Sequence, residues 1–146
     1  MLEFIVNRLR IATELSEVNA WRYATSSKVV QTKIREWILK QLDEGIDADE
    51  KIIGIYTYAT EQLSAGRKKA GDPYDLDDTG LFRSTIGSYA TDEMIIVVAN
   101  GQKLGENIID KYTVRIIELT KENTALLKDF ILNEYLIYIR NVLQIN

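Results

Sequence analysis

The chain has no cysteine, no histidine and a single proline among its 146 residues. Without cysteine there is no disulfide, no thiolate zinc site, no iron–sulfur cluster and no cysteine nucleophile. Without histidine there is no Ser-His-Asp triad, no imidazole metal ligand and no imidazole acid–base catalyst. Long hydrophobic runs are missing too: none approaches the roughly 20 residues of a membrane span. Met1-Leu2-Glu3-Phe4 lacks the basic start of a secretory leader. These absences predict a soluble, intracellularly made chain with no membrane partner, and the lack of cysteine agrees with a reducing compartment. A net charge of -4 gives no basic stripe for nucleic acid.

What is present fits one globular domain over 1–146, with 46% hydrophobic and 27% charged residues. Negative charge is concentrated in the middle. Residues 45–100 hold 5 basic and 10 acidic side chains, against 7 and 6 in 1–44 and 6 and 6 in 101–146.

Periodicity predicts the elements. Ile5, Val6, Leu9 and Ala12 recur at helical spacing, so 1–19 is expected to be an amphipathic helix. Asn19 to Thr25 fits either a turn or a continuing helix, and Trp21 and Tyr23 argue that it packs. A second helix over 26–44 follows a serine cap, with Val30, Ile34, Trp37, Ile38 and Leu42 on one face. Gly45 is expected as its left-handed C-cap. Residues 45–81 read as loop-rich, with an extended piece at 52–56 and a short helix over 59–69. Alternation from Phe82 to Tyr89 and the apolar run 94–99 predict an antiparallel hairpin over 82–99, with its turn at 90–93. Residues 102–118 are ambiguous. Ile108 and Ile109 suit a helical turn, and 112–118 a strand or linker. A long helix over 120–144 starts at a Thr120 cap. One of its faces carries Leu127, Phe130, Ile131, Tyr135, Tyr138 and Val142. Another carries Leu132, Leu136, Ile139 and Leu143, which makes it either central or a possible interface between subunits. The fold class expected is α+β: N-terminal helices, a central β-hairpin or small antiparallel sheet with a long loop, and a long C-terminal helix.

Few clusters carry chemistry. Asp72, Asp75, Asp77 and Asp78 offer carboxylates to Ca²⁺ or Mg²⁺, but aspartate is also a common turn residue. Asp47, Asp49 and Glu50 resemble the start of a calcium loop, yet Ile52 stands at the position that needs glycine. Arg67-Lys68-Lys69 could meet a phosphate or an acidic partner, but a solvated helix end is the preferred reading. The glycines follow no dinucleotide or P-loop spacing. No catalytic, cofactor or metal residue is assigned.

Two segments carry a resemblance. The first is Glu44-Gly45-Ile46-Asp47 followed by Gly54-Ile55-Tyr56-Thr57-Tyr58-Ala59-Thr60. The second is Leu76-Asp77-Asp78-Thr79-Gly80-Leu81-Phe82-Arg83-Ser84-Thr85-Ile86. Together they resemble the small virion-morphogenesis and tail-completion proteins of tailed phages. Those proteins share a Gly-x-Asp loop after a helix and a Gly-x-aromatic step. A Thr-Gly-x-apolar-x-x-Ser/Thr-apolar motif then opens a hairpin. Gly45, Asp47, Gly54, Tyr56, Thr60, Thr79, Gly80, Phe82, Thr85 and Ile86 occupy those places. Glu50 stands where the loop often has glycine, and Tyr56 where tryptophan is frequent.

The resemblance implies structural rather than catalytic roles. Gly80 and Thr79 would turn the chain into the hairpin, and Phe82 and Ile86 would share one strand face. It implies a subunit of a cyclic homo-oligomer in a head–tail connector, neck or tail terminus, acting without a cofactor. Such a ring would stack on other neck or tail proteins in the virion after assembly in the host cytoplasm. DNA would pass through the lumen without specific binding, aided by an acidic loop. Two other readings remain open: a metal-dependent enzyme using the aspartates of 72–78, and a helical adaptor that forms no ring.

Overall fold

A computed structural model describes residues 16–103 and 105–144, together with positions 3, 6, 10 and 11. Its elements run α1 (Glu17–Ser26), α2 (Lys28–Asp43), α3 (Tyr58–Leu63), α4 (Leu81–Ser84), β1 (Gly87–Ala90), β2 (Ile95–Val98), β3 (Gln102–Lys103), β4 (Glu106–Asn107), α5 (Ile108–Tyr112), a 3₁₀ turn (Val114–Ile117) and α6 (Lys121–Leu143). The class is α+β, as the periodicity indicates.

Most of the helix expected over 1–19 lies outside the described residues. Its last part is corrected: the chain is extended at Ser16, whose hydroxyl accepts from the Asn19 N–H at 3.1 Å, and Glu17 opens a new helix. An N-cap oxygen that satisfies an orphan donor of the first turn sets this boundary. Asn19 to Thr25 is therefore helical. α1 is tied to the hairpin turn, where Trp21 Nε1–H donates to Thr91 O at 3.0 Å and Arg22 forks onto Asp92 at 2.7 and 2.8 Å.

α2 is the central element. Val30, Ile34, Ile38 and Leu42 are each 1% exposed or less. At about 1.5–3 kcal/mol per buried aliphatic side chain, this face is a main source of stability. Phe82, Ile86, Ile108, Ile116 and Ile117 close over it. Gln41 is a buried polar joint. Its amide donates to Glu118 O at 2.9 Å and accepts from Thr120 N–H at 3.2 Å and Asn123 Nδ2 at 2.9 Å. It thereby seats the start of α6 against α2.

β1 and β2 form the expected antiparallel hairpin, with Gly87 opposite Val98 and Ala90 opposite Ile95. The strand expected to begin at Phe82 is instead helical from Leu81 to Ser84. Phe82 and Ile86 are both buried. A spacing of four returns to the same face in either a strand or a helix, so the apolar pattern could not separate the two. The helix expected over 59–69 covers only Tyr58–Leu63. It stops where Ala65 (φ 53°) and Gly66 (φ 79°) turn left-handed. Within 112–118 the chain forms a 3₁₀ turn rather than a strand.

α6 spans Lys121–Leu143, with Thr120 Oγ1 accepting from Asn123 N–H at 3.2 Å. It is peripheral, and none of its residues is fully buried. Its first face packs on α1 and α2 through Tyr23–Tyr138 (5.1 Å between ring centroids) and an edge-to-face Trp37–Phe130 pair (5.5 Å). On the second face Leu132, Leu136 and Leu143 are exposed and Ile139 is half-buried.

Candidate functional site

The loop after α2 is ordered by its own hydrogen bonds. Gly45 (φ 68°) ends the helix and donates to Leu42 O at 3.1 Å. Asp47 Oδ1 then accepts from the Asp49 and Lys51 N–H groups at 2.8 and 3.0 Å, reversing the chain. This brings Ile52 back beside Ile46. Asp49 is held by the Arg115 guanidinium, which also pairs with Glu118.

The chain next runs antiparallel to 71–74. Tyr74 N–H donates to Gly54 O at 2.8 Å, Tyr56 N–H to Asp72 O at 2.9 Å and Gly71 N–H to Tyr56 O at 2.9 Å. This crossing explains two glycines of the motif. A Cβ on Gly45 would lie 2.3 Å from Pro73 Cβ, and one on Gly54 would lie 2.4 Å from the Tyr74 ring. Both positions are filled by the Pro73-Tyr74 segment.

The crossing also creates a polar centre at Asp75. Its carboxylate accepts from Lys68 Nζ at 2.6 and 2.7 Å, from Tyr56 Oη–H at 2.7 Å and from Asp77 N–H at 2.9 Å. Lys68 also stands 5.4 Å over the Tyr56 ring. Burial raises the Asp75 pKa, but the hydrogen bonds from Lys68, Asp77 N–H and Tyr56 outweigh it, leaving the carboxyl below its ordinary range. Burial, reinforced by the bond to Asp75, pushes the Tyr56 phenol well above its ordinary value.

Beside this centre lies a half-open cavity of about 570 Å³, between α3 and the 103–112 segment. Tyr56, Tyr74 and Tyr112 supply an aromatic wall, packed edge to face with centroids 4.8 and 5.9 Å apart. Its charged residues are largely paired: Lys103 with Asp78 at 2.7 Å, and Lys111 with Glu106 at 3.1 Å. The bond from Lys103 lowers the Asp78 pKa, and the bond to Glu106 raises that of Lys111.

The remaining motif residues hold this frame in place. Thr60 lines the cavity, and its N–H donates to the Thr57 hydroxyl at 3.3 Å. Gly80 (φ 75°) precedes α4 rather than a strand, while Thr79 Oγ1 accepts a long bond from Leu81 N–H at 3.4 Å. Thr85 donates to Phe82 O at 2.8 Å and accepts from Asn100 N–H at 2.9 Å, joining the end of α4 to the end of β2. Arg83 reaches Leu39 O at 3.2 Å, Asp43, and Asp77 at 3.6 Å. Leu132, Leu136, Ile139 and Leu143 take no part in the cavity.

The aspartates of 72–78 do not converge on a metal site. Asp75, Asp77 and Asp78 each face a cation, and no group of three carboxylates suited to a metal occurs among the described residues. The basic run and the acidic run, treated separately in the sequence, meet in the Lys68–Asp75 pair. Their closeness on either side of Gly71 was the only signal. Nothing marked Lys103, Lys111 or Tyr112. No family model matches the chain, and no curated protein or solved structure matches it either.

Proposed function

We propose that this chain is a structural subunit of a tailed-phage neck or tail-completion ring, acting by assembly rather than by chemistry. The resemblance in 44–86 motivates the reading. One observation carries it: large apolar side chains stand exposed on two separate parts of the subunit. On α6 they are Leu132 (55% exposed), Leu136 and Leu143. Around the 45–81 loop they are Ile52, Tyr58, Leu63 (89%) and Leu81 (70%). A head-to-tail ring requires two different, mutually complementary surfaces on each subunit. Contiguous exposed apolar area is the usual mark of such contacts.

The acidic middle segment would face the lumen. Asp75, Asp77 and Asp78 are paired with cations, so repulsion of a passing DNA backbone would fall to its other carboxylates. The experiment is native mass spectrometry of the purified chain, alone and with the virion fraction. A closed ring that Leu132→Glu dissolves into folded monomers supports the reading. A strict monomer that never joins a virion fraction overturns it, and a two-fold dimer overturns it in favour of a helical adaptor.

A further inference from the structure

We propose that β2 accepts an additional β-strand: its free edge and the groove beside it take an extended segment of another protein, with aliphatic side chains at alternate positions.

The edge supplies the backbone half of the site. Thr91 N–H donates to Met94 O at 2.8 Å, and the register continues with Ala90 opposite Ile95, Tyr89 opposite Ile96, Ser88 opposite Val97 and Gly87 opposite Val98. Hydrogen-bonded and non-hydrogen-bonded pairs alternate along an antiparallel ladder. Ile96 and Val98 therefore turn their N–H and C=O groups to β1, while Ile95 and Val97 turn theirs away from it. These outward groups have no partner among the described residues, where β2 pairs with β1 alone. Strand edges are commonly guarded by lysine, proline or a bulge. Residues 94–99 carry none of these. β1, by contrast, has α1 and α2 packed against it.

The groove supplies the side-chain half. It holds about 390 Å³, with Ile95 and Val97 on one side and Val114, Ile117, Leu119 and Leu127 on the other. Its one charged residue, Glu118, pairs with Arg115. A strand hydrogen-bonded to Ile95 and Val97 places its own alternate side chains on their face of the sheet, over this groove. The apolar lining calls for aliphatic ones. A lone strand fits better than a second copy of the chain. Antiparallel pairing of β2 with another β2 would carry the copy's α2 under the same sheet face, where residues 114–127 already stand. The site lies within one subunit and does not rest on ring assembly.

The full chain is titrated with the peptide acetyl-Lys-Thr-Val-Thr-Val-Thr-Lys-amide, with the same peptide N-methylated at both valines, and with acetyl-Lys-Thr-Thr-Val-Val-Thr-Lys-amide. Calorimetry gives affinity and amide hydrogen exchange gives the contacts. The first peptide is expected to bind at least tenfold tighter than either control, because one control lacks the donors and the other the alternation. It should slow exchange at Ile95 and Val97 and leave Ile96 and Val98, already paired in the hairpin, unchanged. Val97→Pro removes an outward N–H without touching the hairpin ladder, and should weaken binding at least tenfold. Val114 is exposed, so Val114→Glu charges the far wall without burying the charge, and should weaken binding severalfold if Val97→Pro fails to fold. Leu63→Glu, outside the groove, and Leu132→Glu, which tests the ring, should leave binding unchanged, so the two readings fail separately. Equal binding of the N-methylated peptide, unchanged exchange at Ile95 and Val97, or a dimer of the chain alone through β2 would overturn the proposal.

Discussion

Replacing Gly45, Gly54 and Gly66 one at a time by alanine separates two physical costs. Gly66 is left-handed at φ 79°, and an added Cβ would meet nothing within 4 Å. Gly66→Ala therefore carries only the conformational cost, about 1–2 kcal/mol. Gly54 has no positive φ, but its Cβ would lie 2.4 Å from the Tyr74 ring. Its cost is overpacking alone, about 1–3 kcal/mol. Gly45 combines both: φ 68°, with Pro73 Cβ at 2.3 Å and Tyr74 O at 3.1 Å. The sum for Gly45→Ala is about 2–5 kcal/mol. Backbone atoms of the 73–74 segment yield less readily than a ring, which favours the upper half of that range. Urea unfolding followed by circular dichroism gives the three losses from midpoint shifts at constant slope. The order expected is Gly45 first, with Gly66 smallest or level with Gly54. If Gly45→Ala and Gly66→Ala lose the same stability, the close approach of Pro73 is not what demands glycine at 45, and the argument for the crossing fails.

Tyr56→Phe should cost about 1.5–3 kcal/mol, the net value of a hydrogen bond to a charged group. It should also remove the latest tyrosine from an alkaline absorbance titration. The folded-state pKa of Tyr56 is raised, so its stabilisation is whole below the ordinary tyrosine range and disappears as pH climbs through the folded value. Asp75 is shifted the other way. Its contribution holds above the ordinary carboxylate range and is lost as pH falls through the depressed folded value. Asp75→Asn should flatten the acid limb of a stability–pH curve measured by thermal unfolding. Gln41→Leu should cost about 1–3 kcal/mol by leaving the buried Thr120 N–H and the Glu118 carbonyl without their partner, which a chemical-denaturation midpoint would register.

Helix α2 and the hairpin were legible because each obeys one period and ends in a local signal: Ser27 and Gly45 for the helix, the Thr91-Asp92 turn for the strands. Such signals act within a few residues and need no tertiary partner. The left-handed state of Gly45 was legible for the same reason. The crowding that also demands glycine there was not, since Pro73 arrives from outside the local chain. Likewise the spacing of Phe82 and Ile86 marks their inward face but not their element, because burial fixes a face and a spacing of four suits both periods.

The polar centre lay beyond local inference. Tyr56 and Asp75 are 19 residues apart, and Lys68 and Asp75 are 7 apart. Only the crossing of the 54–56 and 71–74 segments brings them together. Exposure was likewise a tertiary outcome. Both faces of α6 are apolar by sequence, and packing on α1 and α2 uses only one of them. By itself the sequence determined the absence of thiol and imidazole chemistry, the order of its long elements and their caps, all set by composition and near neighbours. The tertiary structure alone decided which charges pair and which apolar face meets solvent. Those depend on distances between residues remote in the chain.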